Sequence, residues 1–322
     1  GFALLAFAQS LPIILIASAA TGFAGALFNP AVRAYLAADA GERRLEAFAL
    51  FNIFYQGGIL LGPLVGVALM VFDFRITALA AAIVFAALTV AQLMALPQHS
   101  ADEVLEKTSI IDDWRTVVRN RSFLLFAVAM IGSYVLSFQV SLTLPLQAKY
   151  LAPHRETLLV AAIFAVSGVV AVAGQLRITR WFAARWGSGH SLVIGMMVLA
   201  ISFVPLAVFP DADRFGTAAA VGALIVSAAL LAVGSAAVFP FEMDIVVSLS
   251  NGRLVATHYG FYNTIIGVGI LFGNLAAGSI LGAARDIGWS ELVWAGLIVI
   301  GVLSAATLYH LDRKNHLRPP VD

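Results

Sequence analysis

Two carboxylates, Glu242 and Asp244, follow a long run without charge, and no basic residue comes after them until Arg253. A charged side chain at the centre of a membrane helix costs roughly 2.5–3.5 kcal/mol, so such a residue is kept for a partner or for proton movement. Being two positions apart on a helix, the pair points to different faces, and at most one of them faces a shared cavity. Two readings stay open. One of the pair carries a proton, as a coupling candidate; or both end a helix at the cytoplasmic side, one pairing with Arg33, which falls on position 244 when the sequence is shifted by 211 residues.

The neutral polar residues inside apolar runs form a second set. Asn52, Tyr55 and Gln56 share a helix face, and Gln139, Thr143 and Gln147 recur every fourth residue. Tyr262 and Asn263 complete the set. In hydrocarbon such groups seek water or partners, so they are expected to line a central substrate cavity; the alternative is interhelical hydrogen bonding that only binds helices together. Gly58, Gly62 and Gly66 also recur every fourth residue, with Pro63 among them, and Gly269, Gly273 and Ala277 repeat that spacing. Small-residue faces of this kind let backbones approach closely, and the two are expected to meet as a moving interface or as a static seam. The chain has no cysteine, its six histidines (His99, His154, His190, His258, His310 and His316) are scattered, and no GxxxxGK[ST] loop occurs. Enzymatic chemistry, a metal and other cofactors are therefore not expected, and neither is nucleic-acid binding at a net charge of +1.

The elements that position these residues follow from composition. At 61% hydrophobic and 11% charged residues, with a mean hydropathy of +0.94, the chain needs lipid as its solvent. Runs free of Asp, Glu, Lys and Arg cover 1–32, 47–72, 76–101, 122–148, 157–176, 186–210, 215–241, 254–284 and 292–311. About 20 residues of helix span a bilayer, and only helices satisfy their backbone groups alone there. The first run is too long for one span and contains Gln9, Ser10 and Pro12, so it reads as a stub followed by a helix from Leu11 to about Leu36. An all-α integral membrane fold of nine complete helices and an N-terminal stub results. Shifted by 211 residues, Gly41 falls on Gly252, Asn52 on Asn263, Gly58 on Gly269 and Gly62 on Gly273. Parallel repeats of this type build two pseudo-symmetric halves around a cavity. The expected division is an incomplete helical half (1–97), a polar cytoplasmic linker (98–121), a six-helix half (122–311) and a tail (312–322). The first half has two helices and most of a third fewer than the second, which is expected of a chain truncated at its N-terminus.

The basic residues fall mostly on alternate loops. Arg33, Arg43, Arg44, Lys107, Arg115, Arg119, Arg121, Arg177, Arg180, Arg185, Arg253, Arg313, Lys314 and Arg318 lie on one side. Arg75, Lys149, Arg155, Arg214 and Arg285 lie on the other. The richer side is cytoplasmic, and the C-terminus with it.

GGILLGPLVGVAL, from Gly57 to Leu69, resembles the antiporter signature of drug/proton antiporters in the major facilitator superfamily; Gly58, Gly62, Pro63 and Gly66 match, while Val67 replaces the last glycine. FNPAVRAYLA, the FDFR segment and SFQVSLTLPL are similar to the corresponding stretches of MdtH-type multidrug-resistance proteins. The resemblance covers essentially the whole chain. It implies a monomeric, multi-pass protein of the bacterial inner membrane that exports small lipophilic molecules in exchange for protons. Importing a sugar or another small metabolite is the alternative. Two departures bear on mechanism: the second-half loop motif, GQLRITRWFAARWG, has no Asp, and Ser18 stands near the place of the helix-four arginine common in such antiporters.

Overall fold

The computed structural model describes residues 1–8, 10–95, 109–286 and 288–317, without the side chains of Pro63, Leu64, Val67, Met70, Ile110, Arg285 and Asp286. Lys107, Arg318, linker residues 98–108 and tail residues 318–322 thus lie outside the described residues.

Every regular element among the described residues is helical. Before the linker come α1 (Phe2–Phe7), α2 (Leu11–Ala40), α3 (Arg44–Met70) and α4 (Phe74–Ala95); α5 (Ile110–Arg119) lies in the linker. After it come α6 (Arg121–Ser137), α7 (Thr143–Leu151), α8 (Glu156–Ile201), α9 (Val204–Val208), α10 (Ala212–Phe215), α11 (Thr217–Leu249), α12 (Val255–Asp286) and α13 (Leu292–Arg313). Among the described residues, seven segments are long and apolar enough to cross a membrane. Two of them, Leu11–Gly62 and Pro153–Val208, contain 52 and 56 residues. At 1.5 Å per residue each would extend about 80 Å as one straight helix, more than twice a hydrocarbon core. Both are broken: the first by the 3₁₀ turn Gly41–Arg43, the second at Gly187, whose φ of 70° and ψ of 179° only glycine adopts without strain.

The structure corrects two expected boundaries. The run 122–148 is not one helix: α6 and α7 are separated by a 3₁₀ segment, Phe138–Ser141. The run 215–241 continues to Leu249, so Glu242 and Asp244 lie within α11 and not at its end. Charge-free length stops a span at its first charge, whereas a helix continues wherever that charge has partners. Arg33, counted above with the loop residues, is buried inside α2, within the helix expected from Leu11 to about Leu36.

The buried core lies mainly among α6–α13, with α11 packed on α8 and α13 on α8 and α6. Helices from before the linker join it at specific places: α3 packs on α8 and α11, and α2 on α12. Pro240 inside α11 deprives the Ala236 carbonyl of its helical donor. Gln175 of α8 donates to that carbonyl instead, at 2.8 Å, while its side-chain oxygen accepts from Asn52 of α3 at 2.6 Å. The amide stitches three helices together beside Pro240.

Candidate functional site

A cavity of roughly 380 Å³ lies where α2 and α3 meet α6, α8 and α11. Tyr55, Phe51 and Phe239 form one wall as a ladder of stacked rings, with centroids 6.2 and 6.4 Å apart. The Arg33 guanidinium sits over Phe239 at 5.9 Å, at the end of this ladder. Phe138 and Phe164 are further apolar lining, and Ser133, Ser137, Ser141, Ser167 and Ser235 are hydroxyl lining.

Glu242 is the sole carboxylate among the described lining residues, and it is 2% exposed. Its Oε1 accepts hydrogen bonds from the hydroxyls of Tyr134 (2.6 Å, α6) and Tyr262 (2.7 Å, α12). No ion pair reaches it among the described residues. Its partners tolerate a change of charge, because a phenol donates to a carboxylate and accepts from a carboxylic acid. Arg33 donates from Nη1 to Asn263 at 3.1 Å, and its Nε has no hydrogen-bond partner among the described residues.

Asp244 lies elsewhere. It pairs with Arg44 Nε at 3.2 Å, accepts from Ser188 at 3.2 Å, and lines a separate cavity of roughly 220 Å³ beside His190 and Asp312. Its ion-pair partner is therefore Arg44 and not Arg33, which lies over the rings of Phe239 and Tyr259.

The neutral polar set divides. Asn52, Tyr55 and Gln56 line the larger cavity. Gln139, Thr143 and Gln147 do not: the break between α6 and α7 removes their common face, and all three are fully buried. Gln139 donates to the Val135 carbonyl at 2.6 Å and to Asn274 at 3.2 Å, and Gln147 donates to the Pro210 carbonyl at 2.6 Å. Tyr262 and Asn263 stand behind the cavity wall, holding Glu242 and Arg33. The repeat-related asparagines do parallel work, since Asn52 and Asn263 each bond a residue from the other side of the linker.

The expected meeting of glycine faces is also corrected. Gly269 and Gly273 pack closely on Ile131 and Val135 of α6, whereas Gly58, Gly62 and Gly66 have open space on the side where a Cβ would stand, with no described neighbour within 4 Å of it. The Pro63 side chain lies outside the described residues. α3 approaches α8 through Leu60, which fills the space beside Gly168. A close approach needs a small residue on one helix only, which is why matching small-residue spacings do not identify a pair.

Sequence reasoning missed Arg33, Tyr134 and Gln175 as site residues. One signal was available: Pro30 and Pro240 stand inside long apolar helices, and each precedes a buried charge by two or three residues.

A cavity walled by helices from both sides of the linker is the arrangement expected of a solute carrier, and the similarities agree with it. The chain is 67% identical over 312 residues to an uncharacterised MFS-type transporter of Mycobacterium tuberculosis, covering 97% of this chain and 74% of that protein. It is 25% identical over 311 residues to multidrug resistance protein MdtH of Klebsiella pneumoniae (96% and 74% covered). With MdtH of Cronobacter sakazakii the identity is 26% over 320 residues (99% and 76% covered). The Major Facilitator Superfamily profile matches residues 1–223, and the chain belongs to that family of membrane transporters, not to an enzyme family.

Proposed function

We propose that this transporter exports small lipophilic, drug-like molecules in exchange for protons, by alternating access of the larger cavity, with Glu242 as the proton carrier. The carrying observation is a carboxylate in the cavity wall whose described hydrogen-bond partners are two hydroxyls and which forms no ion pair among the described residues. Glu242 can gain or lose a proton without breaking an ion pair, whereas Asp244 would have to leave Arg44. The naming of the distant relatives as multidrug resistance proteins supports the direction of transport. One charge crossing about 100 mV supplies roughly 2.3 kcal/mol, sufficient for a gradient of roughly fiftyfold in a neutral solute.

In this reading the two long segments each cross twice, turning at Gly41–Arg43 and Gly187. The protein then has nine complete crossings plus α1, and residues 1–97 and 122–311 are pseudo-symmetric halves. It works as a monomer in the bacterial inner membrane, with its C-terminal tail in the cytoplasm on the side rich in Arg and Lys. The interface that opens and closes runs along α3 and α8, where Asn52 meets Gln175.

Import of a sugar or other small metabolite is the second reading, and Arg33 favours it, since a cavity with two charges suits a polar solute better than a wholly neutral one. Uptake of a lipophilic cationic dye by inverted membrane vesicles carrying the complete protein separates the two. Uptake that an ionophore abolishes, and that Glu242→Gln removes, is the expected result. Correctly inserted protein that moves no dye from a broad panel would replace export by metabolite carriage, and fully ionophore-sensitive uptake by Glu242→Gln would end the role of Glu242.

A further inference from the structure

The exposed side of α8 changes character along its length. Ala161, Ala165, Val169 and Ala173, each four residues after the last, are exposed and apolar. The same spacing then brings Arg177, Trp181 and Arg185, all exposed as well. From Leu158, which is exposed too, the helix rises about 28 Å to Arg177, close to the thickness of a hydrocarbon core. The exposed stripe, winding along the helix, thus turns from aliphatic to cationic and aromatic at the depth where headgroups begin. That end of α8 belongs to the Arg- and Lys-rich side of the chain, which the positive-inside rule makes cytoplasmic. The Arg185 guanidinium lies 5.9 Å from the ring centres of both Trp181 and Trp186, and these indoles meet edge to face at 4.8 Å. The contact holds its planar head toward Trp181, one helical turn from Arg177. Arg180 pairs with Glu46 of α3 at 3.1 Å, whereas Arg177 and Arg185 form no ion pair among the described residues. Two uncompensated arginines therefore flank an exposed indole.

We propose that this end of α8 binds an anionic phospholipid, its phosphate between Arg177 and Arg185, its glycerol region against Trp181 and its acyl chains along Val169 and Ala173. Such a lipid supplies both partners that the stripe calls for, an anion for the arginines and hydrocarbon for the aliphatic residues that precede them. The planar donor set of arginine matches phosphate, and anionic lipids of the cytoplasmic leaflet attract basic side chains at the membrane surface. A soluble acidic partner would neutralise the arginines but leave the aliphatic part of the stripe without a role. Arg177, Trp181 and Arg185 line neither of the two cavities, so the site is independent of the solute carried and of the proton carrier. It lies beside the Arg180–Glu46 pair, which joins α8 to a helix from before the linker.

Quenching of tryptophan fluorescence by spin-labelled lipid tests this with the full-length protein in phosphatidylcholine nanodiscs. Phosphatidylglycerol and phosphatidylcholine, each with a nitroxide near the top of an acyl chain, are compared at equal mole fraction. The Trp181 signal is the difference between the unmodified protein and Trp181→Phe. Phosphatidylglycerol is expected to associate about tenfold more strongly than phosphatidylcholine at that position. Arg177→Gln and Arg185→Gln should each lower the preference about threefold or more, and the double variant should abolish it. Arg155→Gln, an exposed arginine at the opposite end of this arm of α8, should leave it unchanged. Equal quenching by the two lipids in the unmodified protein overturns the proposal, as does a preference that survives the double variant or falls equally in Arg155→Gln. Loss of the preference in millimolar glycerol 3-phosphate would make this a site for soluble anions and overturn the lipid assignment. If Arg185→Gln does not fold, Arg185→Lys decides, since a retained preference supports the assignment and a lost one overturns it.

Discussion

Glu242 and Asp244 are separated by a single residue on the same helix, and the structure gives them opposite environments. Glu242 faces a cavity shared by helices from both sides of the linker and is held by Tyr134 and Tyr262. Asp244 faces the turn of α8 at Gly187 and Ser188 and is held by Arg44. A carboxylate that touches only hydroxyls keeps its partners in both protonation states, and one that touches a guanidinium gives up that pairing on protonation. Two acids with nearly the same sequence context are thus held differently, one as the proposed proton carrier requires and the other as a fastening of α3 to α8 and α11.

The largest expected effect is on the first of them. Glu242→Gln should lower proton-driven dye transport in vesicles at least tenfold, about 1.4 kcal/mol in rate, with protein level unchanged. Tyr134→Phe and Tyr262→Phe each remove one hydrogen bond to the same oxygen, worth about 1.5–3 kcal/mol when the acceptor is charged. Each should reduce transport several-fold, and the double variant should fall short of the product of the two, because both act on one oxygen. Gly187→Ala tests the other region: forcing a side chain into that backbone conformation costs about 1–3 kcal/mol, to be read as a lower melting temperature of the purified protein.

The smallest effect should come from Asp244→Asn. Its partner Arg44 is 33% exposed, so the pair is worth about 1 kcal/mol at most, and transport should stay within about twofold. A double-mutant cycle with Arg44→Gln measures that coupling directly. If Asp244→Asn abolished proton dependence while Glu242→Gln retained it, the comparison would be reversed.

Helical class and the places of most spans were legible in the sequence because they depend on local chemistry. Apolar runs need lipid, helices need no partner strand, and the glycines at 41 and 252 both stand at turns with positive φ. The site was legible in part. Asn52, Tyr55, Gln56 and Glu242 stood out as polar groups in apolar runs, and all four line the cavity. Gln139, Thr143 and Gln147 stood out for the same reason and are buried elsewhere, since periodicity along an assumed continuous helix fails once the helix breaks at Phe138–Ser141. Arg33, inside the expected helix from Leu11 to about Leu36, was read only as a basic residue of the cytoplasmic side and as a partner for position 244.

By itself, then, the sequence determined the solvent this chain requires and the helical form of its segments, both properties of residue type and spacing. The tertiary structure alone decided that Asn52 bonds Gln175, that Asn263 supports Arg33, and that Glu242 and Asp244 enter different cavities. The physical reason is that a polar residue in an apolar helix must find a partner, but which partner it finds depends on contacts between helices far apart in the chain.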